Sequence, residues 1–203
     1  LNLDLHSFFF DIIYIESSEC MKYSFDSKTR ILIILLSMFT GAVFGYIYEV
    51  IFYKIDTGYF INRGTTFGPW IPIYAYGTLL IYLTTNKVKD KPIYVFLISA
   101  LVSGILEYTI GYTLYHISGT RLWNYNTEIL NFGNINGFVC LRSVLFFGIA
   151  GLFLMYLVIP CIERLALNIS KKKFSIISIG SFSKFYADTI YNHIISKIIN
   201  YLK

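Results

Sequence analysis

Two hundred and three residues, 56% of them hydrophobic and only 14% charged, with a mean hydropathy of +0.60, exclude a disordered chain, which needs low hydrophobicity and high charge. Fourteen Gly, four Pro and three Cys (Cys20, Cys140 and Cys161, with no metal-spaced pair) exclude collagen-like and disulfide-stapled chains. The net charge of +5 sits at the ends of apolar runs, which reads as a membrane topology signal and not as a nucleic-acid surface.

The expected class is all-α: a polytopic membrane helix bundle with four core transmembrane helices, re-entrant or interfacial outer loops and an amphipathic C-terminal helix. Residues 1–27 come first. SFFFDIIYI is too short to span, no signal-peptide pattern is present, and Met21 followed by KYSFDSKTR reads as a natural beginning. This segment is expected to be poorly ordered or interfacial. The transmembrane domain follows over 28–160, with helices at 31–53, 67–85, 93–115 and 138–159, each near the ~20 residues that a ~30 Å hydrocarbon layer demands. Pro69 and Pro72 fall at the start of the second, where a missing N–H does least harm, and Pro160 closes the fourth.

Residues 161–203 form a basic tail. Lys171, Lys172 and Lys173 interrupt it, Ser181 is a candidate cap, and Tyr186, Ile190, Ile194, Ile198 and Leu202 step by four along one face. A helix lying on the inner leaflet is the first reading, and a helix packed against a partner subunit is the second.

Orientation follows from Lys and Arg. Thirteen lie on the side of Lys22, Lys28, Arg30, the 87–91 turn and the tail, and four (Lys54, Arg63, Arg121, Arg142) lie on the other. Both termini are therefore expected in the cytoplasm of a cell-membrane protein. The loops GYFINRGTTFGPWIP and GTRLWNYNTEILNFGNINGFVCLRS then face outward. They are too apolar to be merely solvated. Such backbone survives at membrane depth only when buried in protein or lining a wet cavity.

Helical rise sets the depth of the charges. Glu49 stands about 27 Å up the first helix, near the outer rim, where reaching water is the simplest role. Glu107 stands about 21 Å up the third, and Arg142 about 6 Å down the fourth, at comparable depth. A buried carboxylate is costly unless paired, so a Glu107–Arg142 ion pair is expected, serving either function or helix clamping. Glu49 to Arg63 and Glu107 to Arg121 are both 14 residues, an echo compatible with two parallel repeats. Trp70, Trp123, Tyr74 and Tyr125 read first as interface-belt aromatics. Gly41, Gly45, Gly104, Gly111, Gly148 and Gly151 read as close-packing positions. His6, His116 and His193 have no ligand spacing, so neither a metal nor a cofactor is expected. No GxxxxGK[ST], GxSxG or HExxH motif occurs, so an enzymatic activity of this chain alone is not the first expectation.

The segments GYIYEV…GYFINRGTTFGPWIPIYAYG and LEY…GTRLWNYN…NINGFVCLRS, over about residues 40–160, resemble the type IV ABC-transporter permease family (CmpB-like). The resemblance singles out Glu49, Asn62, Arg63, Gly64, Gly68, Pro69, Pro72, Glu107, Arg121, Trp123, Tyr125, Asn136, Gly137 and Cys140. Asn124 stands where the family usually has Asp, and Phe138 where it has Arg, a double change that a compensated ion pair would permit.

The substrate-binding candidates are thus Glu49, Asn62, Arg63, Glu107, Arg121, Trp123, Asn124, Asn136 and Arg142. Three functions compete: a permease-type transport subunit served by a separate ATP-hydrolysing subunit, a non-catalytic accessory protein, and an enzyme or carrier for lipid-linked phosphates with Arg63 and Arg121 on phosphate and Glu107 as base. Membrane lipid is an expected partner throughout, nucleic acid is not, and self-association is left open.

Overall fold

The computed structural model describes residues 25–192, and within them the only ordered elements are helices joined by loops. The expectations placed on residues 1–24 and 193–203, including the apolar stripe at Ile194, Ile198 and Leu202, lie outside the described residues. Helix α1 is Ser27–Thr57, α2 is Pro72–Thr85, α3 is Pro92–Ser118, α4 is Leu141–Asn168 and α5 is Lys171–Ile190. Each boundary has a local cause. Gly58 (φ +81°) and Gly119 (φ +69°) end α1 and α3 in the left-handed conformation, and their N–H groups return to Lys54 and Tyr115. Pro72 and Pro92 open α2 and α3, and each is preceded by a non-helical residue.

Three helices, α1, α3 and α4, are long and apolar enough to cross a membrane. The fourth expected span is not a full helix. α2 has 14 residues, about 21 Å of rise, short of the ~30 Å hydrocarbon layer. The reason is visible at Ile71, whose N–H donates to the Ala42 carbonyl (3.1 Å), midway along α1. Residues 58–71 therefore turn back from the end of α1 to its middle as irregular backbone, and only then does α2 begin. The re-entrant character expected of this loop is present, and it accounts for the missing half of the helix.

The fourth helix, expected to stop at Pro160, continues to Asn168. A π turn over Leu154–Val158 sits immediately before the proline. The wider turn accommodates a ring that would otherwise collide with the carbonyl four residues back.

α5 also departs from expectation. It starts at Lys171 under a Ser170 cap, ten residues ahead of Ser181, and the three lysines form its first turn instead of interrupting it. Phe174, Ser178 and Phe185 are its buried face, while Tyr186 is exposed. Lys171 approaches Asp26 at the start of α1, and Asp188 reaches residues 67–70, level with Ala42. Both intervals correspond to about 25 Å of helix, so α5 runs alongside the first half of α1 and does not lie flat beneath the bundle.

Two apolar clusters hold these elements together. One joins Ile33, Leu36, Ile81, Val95, Met155 and Phe174 at the end bearing the 86–91 turn, and the other joins Met38, Ala42, Trp70, Ala75 and Phe185 at mid-height. The small-residue positions act as expected. A Cβ on Gly45 would fall 2.1 Å from the Tyr74 ring, one on Gly148 2.5 Å from Phe96, and one on Gly151 2.1 Å from Ser99. Gly45→Ala is expected to cost about 1–3 kcal/mol by overpacking, read as a lowered midpoint of thermal unfolding in detergent. An unchanged midpoint would show that Tyr74 is free to move aside.

Candidate functional site

The polar side chains gather at the end of the bundle opposite the 86–91 turn, where the 58–71 loop and the 119–140 loop meet α1, α3 and α4. The longer loop is built on local chemistry. Asn136 (φ +53°) and Gly137 (φ +76°) form the centre of a tight turn closed by Phe138 N–H to Ile135 O (3.0 Å), the Asn-Gly pairing such a turn favours. A Cβ on Gly137 would also strike Arg121, Asn124 and Asn126. Arg121 donates to the Asn136 carbonyl (2.8 Å), and Trp123 Nε1 donates to the Phe138 carbonyl (2.9 Å). These bonds fold the loop back on itself, and Tyr125 and Glu128 reach from it into the bundle, to Glu107 of α3 and Arg142 of α4.

One ion pair joins α1 to the first loop. Arg63 Nε lies 3.0 Å from Glu49 Oε2, Tyr74 O–H donates to Glu49 Oε1 (3.2 Å), and the Arg63 guanidinium stacks over Tyr53 (3.8 Å). The second joins the long loop to α4. Arg142 Nη2 lies 2.6 Å from Glu128 Oε2, with side-chain exposures of 13% and 7%. Arg142 Nη1 donates to the Ile129 carbonyl (2.7 Å), and its guanidinium lies over Phe52 (4.0 Å). Tyr53 bridges the two pairs, donating to Glu128 Oε1 (2.6 Å) while stacking under Arg63.

Glu107 is 6% exposed and is not paired with Arg142. Its Oε1 accepts from Tyr125 O–H, and its Oε2 lies 2.7 Å from the Ser143 hydroxyl, which is also 2.9 Å from the Cys140 carbonyl. The expected Glu107–Arg142 pair is therefore corrected. Depth was matched, but Glu128 descends from the loop to take the arginine, and two hydroxyls satisfy the acid. Burial, reinforced by the adjacent Glu107 carboxylate, pushes the Tyr125 phenol well above its ordinary value, so it stays a donor.

Glu49, Arg63, Glu107, Trp123 and Arg142 of the expected set share one small cavity of about 40 Å³, room for a water molecule or two. The other four do not enter it. Asn62 accepts from Tyr46 (2.8 Å), Asn124 makes local turn contacts with Asn126 and Thr127, and Arg121 bonds the Asn136 carbonyl across the 119–140 loop. The 14-residue echo fails at this point: Glu49 meets Arg63, whereas Arg121 turns away from Glu107.

Sequence reasoning missed Glu128, Tyr53 and Ser143, and it read Tyr74 and Tyr125 as belt aromatics when they donate to the two carboxylates. The Asn136-Gly137 turn signal, followed back along the loop, was the available clue that residues 123–128 fold inward. It also missed Asp188 of α5, whose carboxylate accepts from Phe67 N–H (3.1 Å), Gly68 N–H (2.9 Å) and Trp70 Nε1–H (2.8 Å). Non-helical backbone halfway along α1 thereby finds the partners it needs inside the protein.

No curated protein and no solved structure matches this chain. A family model described as "Putative ABC-transporter type IV" matches residues 36–193, which takes in α2 to α5 whole and α1 from residue 36 onward. With three helices able to cross a membrane and a match over more than three-quarters of its length, the chain belongs to this ABC-transporter type IV family of membrane proteins.

Proposed function

We propose that this chain is the membrane-embedded permease-type subunit of a transporter whose ATP hydrolysis is supplied by a separate subunit. The observation carrying this reading is a family match to a transporter on a chain that has no phosphate-binding loop of its own. The basic residues around Arg30, the 86–91 turn and the start of α5 gather at one end of the bundle and suit a cytoplasmic docking face. The ion-pair layer of Glu49, Arg63, Glu128 and Arg142, with Glu107 beside it, then lies toward the exterior, and Asn62, Arg121, Trp123, Asn124 and Asn136 form its outer rim.

Affinity purification of the intact, mildly solubilised protein tests the reading. An ATP-hydrolysing subunit retained in fixed ratio supports it. Recovery of the chain with no nucleotide-hydrolysing partner, and no response of reconstituted vesicles to ATP, overturns it. Labelling of single cysteines placed at Asn62 or Thr127 from outside intact cells, with Val88 protected, is the expected orientation.

A second reading, a non-transporting accessory protein, is favoured by one observation: the cavity among the charges is small, and both arginines are engaged by carboxylates. The same engagement leaves the lipid-phosphate enzyme without a free arginine pair, because Arg63 and Arg121 face different partners.

A further inference from the structure

Directly beneath the ion-pair layer, α1, α2 and α4 enclose a groove of about 360 Å³. Its lining combines small residues, Gly41, Gly45 and Ala150, with the rings of Phe44, Phe147 and Phe153. At one end it shares Tyr48, Tyr74 and Phe147 with the charged cavity, and at the other it closes on Ile81, Leu154 and Val158. From Phe146 to Val158 the groove follows about 18 Å of α4, close to the ~15 Å of one hydrocarbon leaflet.

We infer that this groove holds one hydrocarbon tail of a membrane amphiphile, with the polar head at the Glu49–Arg63 and Glu128–Arg142 layer. Three arguments converge. The lining is almost wholly apolar, so a polar solute would lose about 2–7 kcal/mol for each group left without a hydrogen bond. Aromatic rings of α1 and α4 meet across it, with Phe44 and Phe153 centred 5.4 Å apart and Tyr48 and Phe146 3.6 Å apart, so a helix of a second copy, 10–12 Å across with its side chains, does not enter it. The groove is also continuous with the charges at the height where a tail joins its head group. Joined to the transport reading, on which only this last step rests, the groove makes an amphiphile the class of cargo. Occupancy itself does not depend on that reading.

Photo-crosslinking tests it. The full chain is reconstituted in phosphatidylcholine vesicles containing phosphatidylcholine with a diazirine on one acyl chain, irradiated, and the adducts mapped by mass spectrometry. Adducts should concentrate at Phe44, Ile149 and Phe153, in contrast to Leu145 and Ile105, which are exposed on other faces. Ala150→Phe, which adds bulk at a residue lining the groove, should reduce the groove adducts about tenfold, equivalent to ~1.4 kcal/mol. Leu145→Phe should leave them unchanged. Should Ala150→Phe perturb folding, competition by unlabelled lipid on the wild-type chain serves instead: straight tails should displace the probe and methyl-branched tails should not. Adducts spread evenly over all lipid-facing positions, or groove residues crosslinked to protein in place of lipid, overturn the inference. Groove adducts without a copurifying ATPase would sink the transport reading alone, and a bound ATPase with evenly spread adducts would sink the groove alone.

Discussion

Glu128→Ala is expected to lower the stability of the folded protein by about 3–5 kcal/mol, because it strands the Arg142 guanidinium in a site where only 13% of the side chain is exposed. For a chain of this size that corresponds to roughly 6–20 °C in thermal midpoint. The loss arises from an uncompensated buried charge more than from the attraction removed, and this makes a second expectation possible. The double variant Glu128→Leu with Arg142→Met, apolar at both positions, should recover most of the loss. Glu49→Ala should cost less, since Arg63 is 21% exposed and its long side chain has water within reach. Thermal unfolding in detergent, followed by helical circular dichroism, measures all three. If Glu128→Ala shifts the midpoint no more than Glu49→Ala does, the Glu128–Arg142 pair is not the buried anchor of the long loop.

Asp188→Ala is expected to free the first loop. Three donors, the N–H groups of Phe67 and Gly68 and the indole of Trp70, lose a charged acceptor together, and Asn192 loses one as well. Hydrogen bonds to charged groups contribute about 1.5–3 kcal/mol each, and their effects here overlap, so a local loss of about 3 kcal/mol is a fair expectation. Amide hydrogen exchange reads it directly: protection at Phe67 and Gly68 should fall about a hundredfold, at 1.4 kcal/mol per decade. Asp188→Asn, which keeps one acceptor oxygen, should fall in between. Unchanged exchange at Gly68 would mean that the loop is held by Trp70 packing on Phe39 and Phe185 and not by the carboxylate.

Much of the bundle was legible because long apolar runs with few charges have one stable form in hydrocarbon. α1, α3 and α4 were located this way to within a few residues at most ends. The same measure misjudged 67–85, since Trp70 and Ile71 are as apolar as helical residues yet are buried in irregular backbone. Hydropathy registers burial and not conformation. Pro160 misled for a related reason, because a π turn let α4 continue past it.

At the site, Glu49, Glu107 and Arg142 were found by the rarity of charge inside apolar helices, and all three meet at one cavity. Most of the contacts those residues make were not foreseen. Glu128, Tyr125 and Asp188 sit in segments that looked external, and nothing in a one-dimensional pattern announces a loop that dips or a terminal helix that climbs. The Asp188 contact joins residues 120 positions apart.

That separation has a consequence in time. At synthesis rates of about 5–20 residues per second, Gly68 is added to the chain roughly 6–24 s before Asp188 is. Throughout that interval the nascent first loop has its amides turned toward an acceptor that does not yet exist. The first loop therefore takes its final hydrogen bonds only once α5 has been made, so the last helix in the described chain sets the shape of a segment made long before it.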